Sequence, residues 1–417
     1  MTPDLRVDRV DRTTTEVPFR ETPAPHLYRT VPDWRFFEVC EVELACGAVG
    51  HGETMLFYPR AGKGEDATPV EGDSAMVHAW DDSLGDGLQM ALFDAVGRAF
   101  DVPIHCLLGD AVRESIPVSW WCIDMPPEDW LAEAREARRR GYESIKLKAR
   151  PWWPLREGIA RLSDALPEEF RIGLDFNTTM VDVERAVPVL EDLAAYPQVS
   201  VFEEPIPRED FAGYRRIREA VDVSIAHHFT YDDPIEGLAA DVADCYVRTD
   251  GATGMRERAA TLAIADEPLW YQLVGTGLTA AWGLHMGAVL DAVSLPSVNC
   301  HEVFAESLVD KEITVSNGHV SVPDGPGLGY EVDTNAIERL AVDMNAADTH
   351  PERLIAVEYP DDRTYYFATG RQLRTYAQAG SLPYFEHEVE TRAIPDDGSD
   401  WWAETHSRAT DEPVVER

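Results

Sequence analysis

The apolar positions of this chain change period twice. FFEVCEVELACGAVGHGE, residues 36–53, is β-rich and ends in a glycine-punctuated turn. GLQMALFDAVGRAFDVPIHCLLG, residues 87–109, repeats its apolar residues at helical spacing, with Pro103 soon after the break. From about Ser115, short apolar runs alternate with helical segments: IPVSWWCI then DWLAEAREARRRG, YESIKLKA then a helix near Leu155 to Ala165. FRIGLDFN precedes VERAVPVLEDLAAY, and VSVFEEP precedes DFAGYRRIREAV; VSIAHHF, DCYVRTD, LWYQLVG and SVNCHEV continue the series. Roughly eight strand–helix units predict a parallel sheet, and that count favours a closed β/α barrel over an open sheet. Beyond Asn317 the turn-rich VSNGHVSVPDGPGLGYEVD leads into β-like EYPDDRTYYFAT, and the acidic last residues are expected to fray.

Charge narrows the partners. The 417 residues carry 37 Lys+Arg against 76 Asp+Glu, a formal net charge of -39. Such a surface repels nucleic acid and anionic lipid, so neither is an expected partner. Lysine is nearly absent: only Lys63, Lys146, Lys148 and Lys311 occur. Acid excess with arginine retained points to a halophile's salt-rich cytosol, where screening relieves self-repulsion. That expectation fails if the fold is as stable in dilute buffer as in molar KCl. The six cysteines show no CxxC pair, so reduced and mostly buried thiols are expected. The start MTPDLRVDRVDRTTTEV has no apolar leader and no run approaches a membrane span, so a cytoplasmic protein is expected.

Half of the lysines fall in SIKLKAR, residues 144–150. On a strand, residues two apart share a face, so Lys146 and Lys148 would look into the barrel mouth and Ile145 and Leu147 toward the helices. Neighbouring ammonium groups and partial burial depress a lysine's pKa, which suits it to act as a base. The plainer alternative is a solvated or ion-paired couple. The next strand end, GLDFN, puts Asp175 and Asn177 on one face, and VFEEP puts Glu203 or Glu204 in the mouth. Carboxylates on adjacent strand ends are natural ligands for a hard divalent cation such as Mg²⁺. In so acidic a chain a single acid means little, but a lysine pair followed by acids on successive strand ends is harder to obtain by chance.

Lys-x-Lys, Asp-x-Asn and Glu-Glu-Pro on successive strands resemble the enolase superfamily, in its mandelate racemase/muconate-lactonising branch. The pre-barrel helix at 87–109, the DGATG turn and VPDGPGLGYEVD add to the resemblance. It implies an α/β fold: a modified TIM barrel, (β/α)7β, with an N-terminal α+β capping domain completed by C-terminal residues. Residues 1–114 would form the cap, 115–316 the barrel, and 317–417 the return to the cap plus an acidic tail. The implied chemistry removes a proton α to a carboxylate, with Mg²⁺ holding the enediolate; a Lys base working with Mg²⁺ is a known pattern of this superfamily. By position, Lys148 resembles the base and Lys146 the partner of the substrate carboxylate. Asp175 and Glu203 resemble metal ligands, and Asn177, Asp250 and Glu302 substrate-binding residues. A small-molecule carboxylate substrate and a homo-oligomer are further implications.

The pattern breaks in two places. The fifth strand should end in an acid, yet reads VSIAHHFTYDD: His228 takes the place of the third ligand, or Asp232 or Asp233 reaches in from beyond. Imidazole would favour Mn²⁺ or Zn²⁺ over Mg²⁺. The seventh strand carries Gln272 near the histidine of the racemase-like members' Asp–His dyad, while His285 has the apolar neighbours of a core histidine. The sixth strand is a few residues short, so Asp244, Cys245 and Asp250 do not align with the dyad's other half. Racemisation needs two bases, so an acid-sugar dehydratase is the first expectation. A racemase, epimerase or cycloisomerase, or a barrel that binds a carboxylate without turning it over, are the alternatives. Specificity is expected from the loop at 51–64; Trp120, Trp121, Trp152 and Trp153 are expected to pack.

Overall fold

The computed structural model describes residues 2–58, 70–228, 235–343 and 352–417. Strands β1 (Val7–Glu16), β2 (Phe36–Leu44) and β3 (Val49–Met55) form an antiparallel sheet in that order, and helix α1 (Asp86–Phe100) lies against it. The glycines of GAVGHGE explain how closely. A Cβ at Gly50 would lie 2.1 Å from the backbone nitrogen of Ala95, so only glycine admits the helix there.

Strands β4 (Trp120–Cys122), β5 (Ser144–Lys148), β6 (Arg171–Asp175), β7 (Val199–Glu203), β8 (Ser224–His228), β9 (Cys245–Arg248) and β10 (Leu269–Tyr271) form one curled parallel sheet, ordered as in the chain. Helices α2 (Pro127–Arg139), α3 (Leu155–Ala165), α4 (Val183–Ala194), α5 (Phe211–Ala220), α6 (Ile235–Ala239), α7 (Ala252–Ile264) and α8 (Gly277–Val289) follow them in turn. Helices on the outside and side chains within bury both faces, which is why the strands read as short apolar runs. Asp182 and Asp210 start α4 and α5 by accepting the amides of Arg185 and Gly213, both at 2.9 Å. The eighth strand expected at SVNCHEV shrinks to single bridges. Ser297 pairs with Val118 and Val298 with Gln272, closing the ring between β4 and β10. Pro296, with no amide to donate, limits the pairing.

Residues 317–343 run back to the cap. His319–Ser321 pairs with Ser115–Pro117, and the Leu328 amide donates to Asp94 of α1 at 2.7 Å. Val342 then donates to the Thr14 carbonyl at 2.9 Å. The tail does not fray. β11 (Arg353–Glu358), β12 (Thr364–Phe367), β13 (Glu390–Pro395) and β14 (Val414–Glu416) form an antiparallel sheet in the order β13–β11–β12–β14. Helices α9 (Gly370–Gln378) and α10 (Asp400–Asp411) accompany it. Leu354, Ala356, Trp402 and Val414 fill one side of this module; Ile355, Val357 and Phe367 fill the other together with Trp152 and Trp153 from the barrel. The β-like reading of EYPDDRTYYFAT caught one strand of this sheet; the last residues, which read as frayed, supply α10 and β14. All six cysteines are free, four of them buried. Among the described residues no helix is long and apolar enough to cross a membrane.

Candidate active site

Register brings the charged residues together. Lys148 lies opposite Asp175, Asp175 opposite Glu203, and Glu203 opposite Ala226, so one layer of the barrel crosses four strands. Lys148 Nζ lies 2.5 Å from Asp175 Oδ2 and donates to Asn177 Oδ1 at 3.1 Å. Lys146 Nζ pairs with Glu203, lies 3.5 Å from Asp175 Oδ2, and donates to Gln272 Oε1 at 2.5 Å. All four charged groups are nearly or fully buried, so each depends on its partners for the solvation that water would give.

The two lysines respond in opposite senses. Burial lowers the pKa of both, but for Lys146 the Glu203 and Asp175 carboxylates outweigh it and the pKa is raised. The expectation that both lysines are depressed thus holds for one of them. For Lys148 burial prevails; Asp175 opposes it, while Lys146 and Arg150 add to it, and the pKa is lowered. Burial works against the Asp175 carboxylate too, yet Lys148, Lys146 and Arg150 together hold it well below the usual range.

Asn177 is in the cluster, its Oδ1 shared by Lys148 and by Arg150 Nη2 at 2.6 Å. Glu302 is not: its Oε1 accepts from the Tyr142 hydroxyl at 2.8 Å, because Cys300, in left-handed backbone, turns the chain before it. Asp250 is likewise engaged elsewhere, accepting from Arg248 Nε at 2.8 Å. The substrate-binding roles that the resemblance implied for Glu302 and Asp250 stay proposals; Glu302 Oε2 is buried with no hydrogen-bond partner among the described residues. The DGATG turn is occupied by the cap: the amides of Thr253 and Gly254 donate to Asp82 at 3.0 and 2.7 Å, and a Cβ on Gly251 would lie 2.6 Å from that carboxylate. His285 is a core residue, its Nε2 donating to the Leu328 carbonyl at 3.1 Å, with its pKa pushed down to about 3 by burial. Trp152 and Trp153 both donate to buried Asp124, at 2.8 and 3.1 Å. Asp232 and Asp233, and residues 59–64 of the expected specificity loop, lie outside the described residues.

His228 Nδ1 stands 3.6 Å from Glu203 Oε1, and Glu203, Glu204 and His228 offer ligand atoms within 4.8 Å of one another. Glu204 is gripped by Arg208, with Nη2 donating at 2.7 Å. Glu203 differs: beyond its ion pair with Lys146, neither oxygen has a hydrogen-bond partner among the described residues. A buried carboxylate short of donors beside an imidazole could hold a divalent cation, with Asp175 one strand away as a further ligand.

Two contributors were overlooked in the sequence. Arg150 continues the alternation of Lys146 and Lys148, so its arrival at the cluster was legible in SIKLKAR itself. Gln272, noted only as a missing histidine, is the acceptor for Lys146. Below the cluster a cavity of about 310 Å³ opens among the first residues of the strands, lined by Ser144, Ser200, Ser224 and Trp270, with Lys146 and Glu203 as its roof.

Residues 129–336 match the family described as enolase C-terminal domain-like. Muconate cycloisomerase 1 of Rhodococcus opacus is 26% identical over 274 residues, 60% of this chain and 70% of that protein. D-galactarolactone cycloisomerase of Agrobacterium fabrum is 27% identical over 276 residues, 60% of this chain and 72% of its own. Arabinonate dehydratase of Saccharolobus solfataricus is 24% identical over 344 residues, 72% of this chain and 88% of its own. Among solved structures, muconate cycloisomerase from Pseudomonas fluorescens superposes with a TM-score of 0.66 at 18% identity, over 81% of this chain and 99% of that one.

Proposed function

From the place in the enolase superfamily that this family match and these relatives support, we propose that the chain removes the proton α to a carboxylate, using Lys148 as base. The observation that carries the reading is the single barrel layer in which Lys148, Asp175 and Glu203 meet, with Lys146 beneath. A lysine whose pKa is lowered by burial and by two neighbouring cations is the group best suited to take a proton near neutral pH. Lys146, kept charged by Glu203 and Asp175, places a fixed positive charge where a substrate carboxylate can meet it. Asp175, Glu203 and His228 would hold a divalent ion, whose role is to supply positive charge to the substrate's carboxylate oxygens as the α-proton leaves. An imidazole in that set favours Mn²⁺ or Zn²⁺ beside the Mg²⁺ usual for carboxylates.

Among reactions sharing this half-step, dehydration of a sugar acid is our first reading. One base takes the α-proton and an acid, protonated Lys148 or a mouth histidine, gives the departing hydroxide the proton with which it leaves as water, while the far side of the mouth offers Gln272 in place of a second base. Cycloisomerisation is the second reading, favoured by the muconate and galactarolactone cycloisomerases among the relatives. The test is incubation in D2O with aldonic acids, aldaric acids and muconate, with Mg²⁺, Mn²⁺ or Zn²⁺ present. Deuterium at the α-carbon and a 2-keto-3-deoxy acid product are expected. A lactone product would select the second reading. No exchange with any metal, together with no calorimetric metal binding, would leave a barrel that only binds.

A further inference from the structure

The C-terminal module lies beyond the residues matched by the family model, which end at 336, yet it reaches the lysine site. The loop after β6 is held in backbone that its residues resist: Asn177, Thr178 and Val181 have φ of 43°, 64° and 67°. Left-handed backbone is uncommon for any side chain and a marked outlier for β-branched Thr and Val. It persists where surrounding contacts impose it, typically at functional sites.

Those contacts come from two directions. From the barrel, the Glu204 carbonyl accepts the Thr178 amide at 2.7 Å and the Pro205 carbonyl accepts the Met180 amide at 3.0 Å. From the module, Gln378 Nε2 donates to the Asn177 carbonyl at 2.8 Å and to Thr178 Oγ1 at 3.1 Å. Phe385 sets its ring edge-on to Phe176, centroids 6.0 Å apart, and Val181 Cγ1 lies 3.5 Å from where a Cβ on Gly380 would be. The module is itself seated on the loop after β5. Trp152 and Trp153 enter its apolar core, the Thr391 hydroxyl donates to the Trp152 carbonyl, and Arg156 Nη1 donates to the Phe385 carbonyl at 3.1 Å. Thus the loops following the lysine strand and the aspartate strand are both gripped by one element.

We propose that Gln378 is a positioning residue of the lysine site: by holding the Asn177–Thr178 backbone it fixes the Asn177 side chain that Lys148 and Arg150 share. The module then completes the site from outside the barrel. The meaning of Lys148 as a base rests on the function proposed above, but its placement does not. A side chain displaced by even an ångström can cost about 10²-fold in rate, so a residue that never touches substrate can still govern the chemistry.

The scarcity of lysine makes the test direct. Full-length protein labelled at lysine ¹³Cε gives four side-chain signals, assigned with Lys148→Arg. At one fixed pH, Gln378→Leu is expected to displace the Lys148 signal while those of Lys63 and Lys311 stay put, and to slow α-proton exchange about 10²-fold. Arg392→Ala, which breaks only an exposed ion pair with Glu358 on the module's sheet, is the control and should leave Lys148 unmoved. Gln378→Met repeats the measurement if the leucine variant folds poorly. An unmoved Lys148 signal in a folded Gln378 variant overturns the proposal. A displaced signal in a protein whose wild type exchanges no substrate proton sustains the positioning and sinks the proposed function instead.

Discussion

The two halves of the barrel mouth are built on opposite electrostatic plans. Strands β5, β6 and β7 contribute Lys146, Lys148, Asp175 and Glu203, four buried charges that solvate one another. Across from them β10 offers Gln272 and the closing segment Cys300, both neutral, and the charges of β9's Arg248 and of Asp250 pair together at 2.6 Å. A mouth charged on one side can pull a proton from one face of a bound acid, and among the described residues Gln272 and Cys300 supply no base to return it to the other. This asymmetry, more than any single residue, argues for elimination or ring closure over racemisation.

The largest effect that would break the comparison concerns the base. Lys148→Ala is expected to reduce α-deuterium uptake by about 10²–10⁴-fold, the usual worth of a positioned base. Uptake at the wild-type rate, followed by mass spectrometry, would move the base to the neutral half. Glu203→Gln removes the main counter-charge of buried Lys146, and breaking such a pair costs about 3–5 kcal/mol. Urea unfolding of the protein in chelator should register that loss, whereas an unchanged midpoint would mean Lys146 is solvated from the cavity beneath.

Gln272→Leu takes from Lys146 its neutral acceptor across the mouth. A hydrogen bond to a charged group is worth about 1.5–3 kcal/mol, and the melting temperature should fall accordingly. Recovered substrate should remain optically pure in both wild type and variant; racemised substrate would reveal a second base and dissolve the asymmetry. The smallest effect, per pH unit, lies with His285. Its folded pKa of about 3 lies below the ordinary 6.5, so between those values the unfolded chain holds a proton that the folded one refuses. Stability should therefore fall as pH drops through that window, by about 1.4 kcal/mol per unit, and His285→Asn should flatten the slope in urea titrations.

The sequence alone determined a good deal. Strand–helix alternation specified the barrel, because period 2 and period 3.6 follow from local geometry. Alternation within SIKLKAR and GLDFN placed Lys146, Lys148 and Asp175 inward, and the regular succession of strands put Glu203 beside them. What local pattern cannot contain is the partner a side chain meets after the chain has closed on itself. Glu302 was legible as an acid on the last strand but not as the acceptor for Tyr142, since that depends on the left-handed turn at Cys300. Burial pushes down both lysines of one strand, and that Lys146 nevertheless goes up depends on carboxylates from two other strands. The C-terminal module shows the limit most clearly. Its last, acidic residues read as a loose end, and only the tertiary fold, by lending the module Trp152 and Trp153 to pack against, makes it a wall of the site.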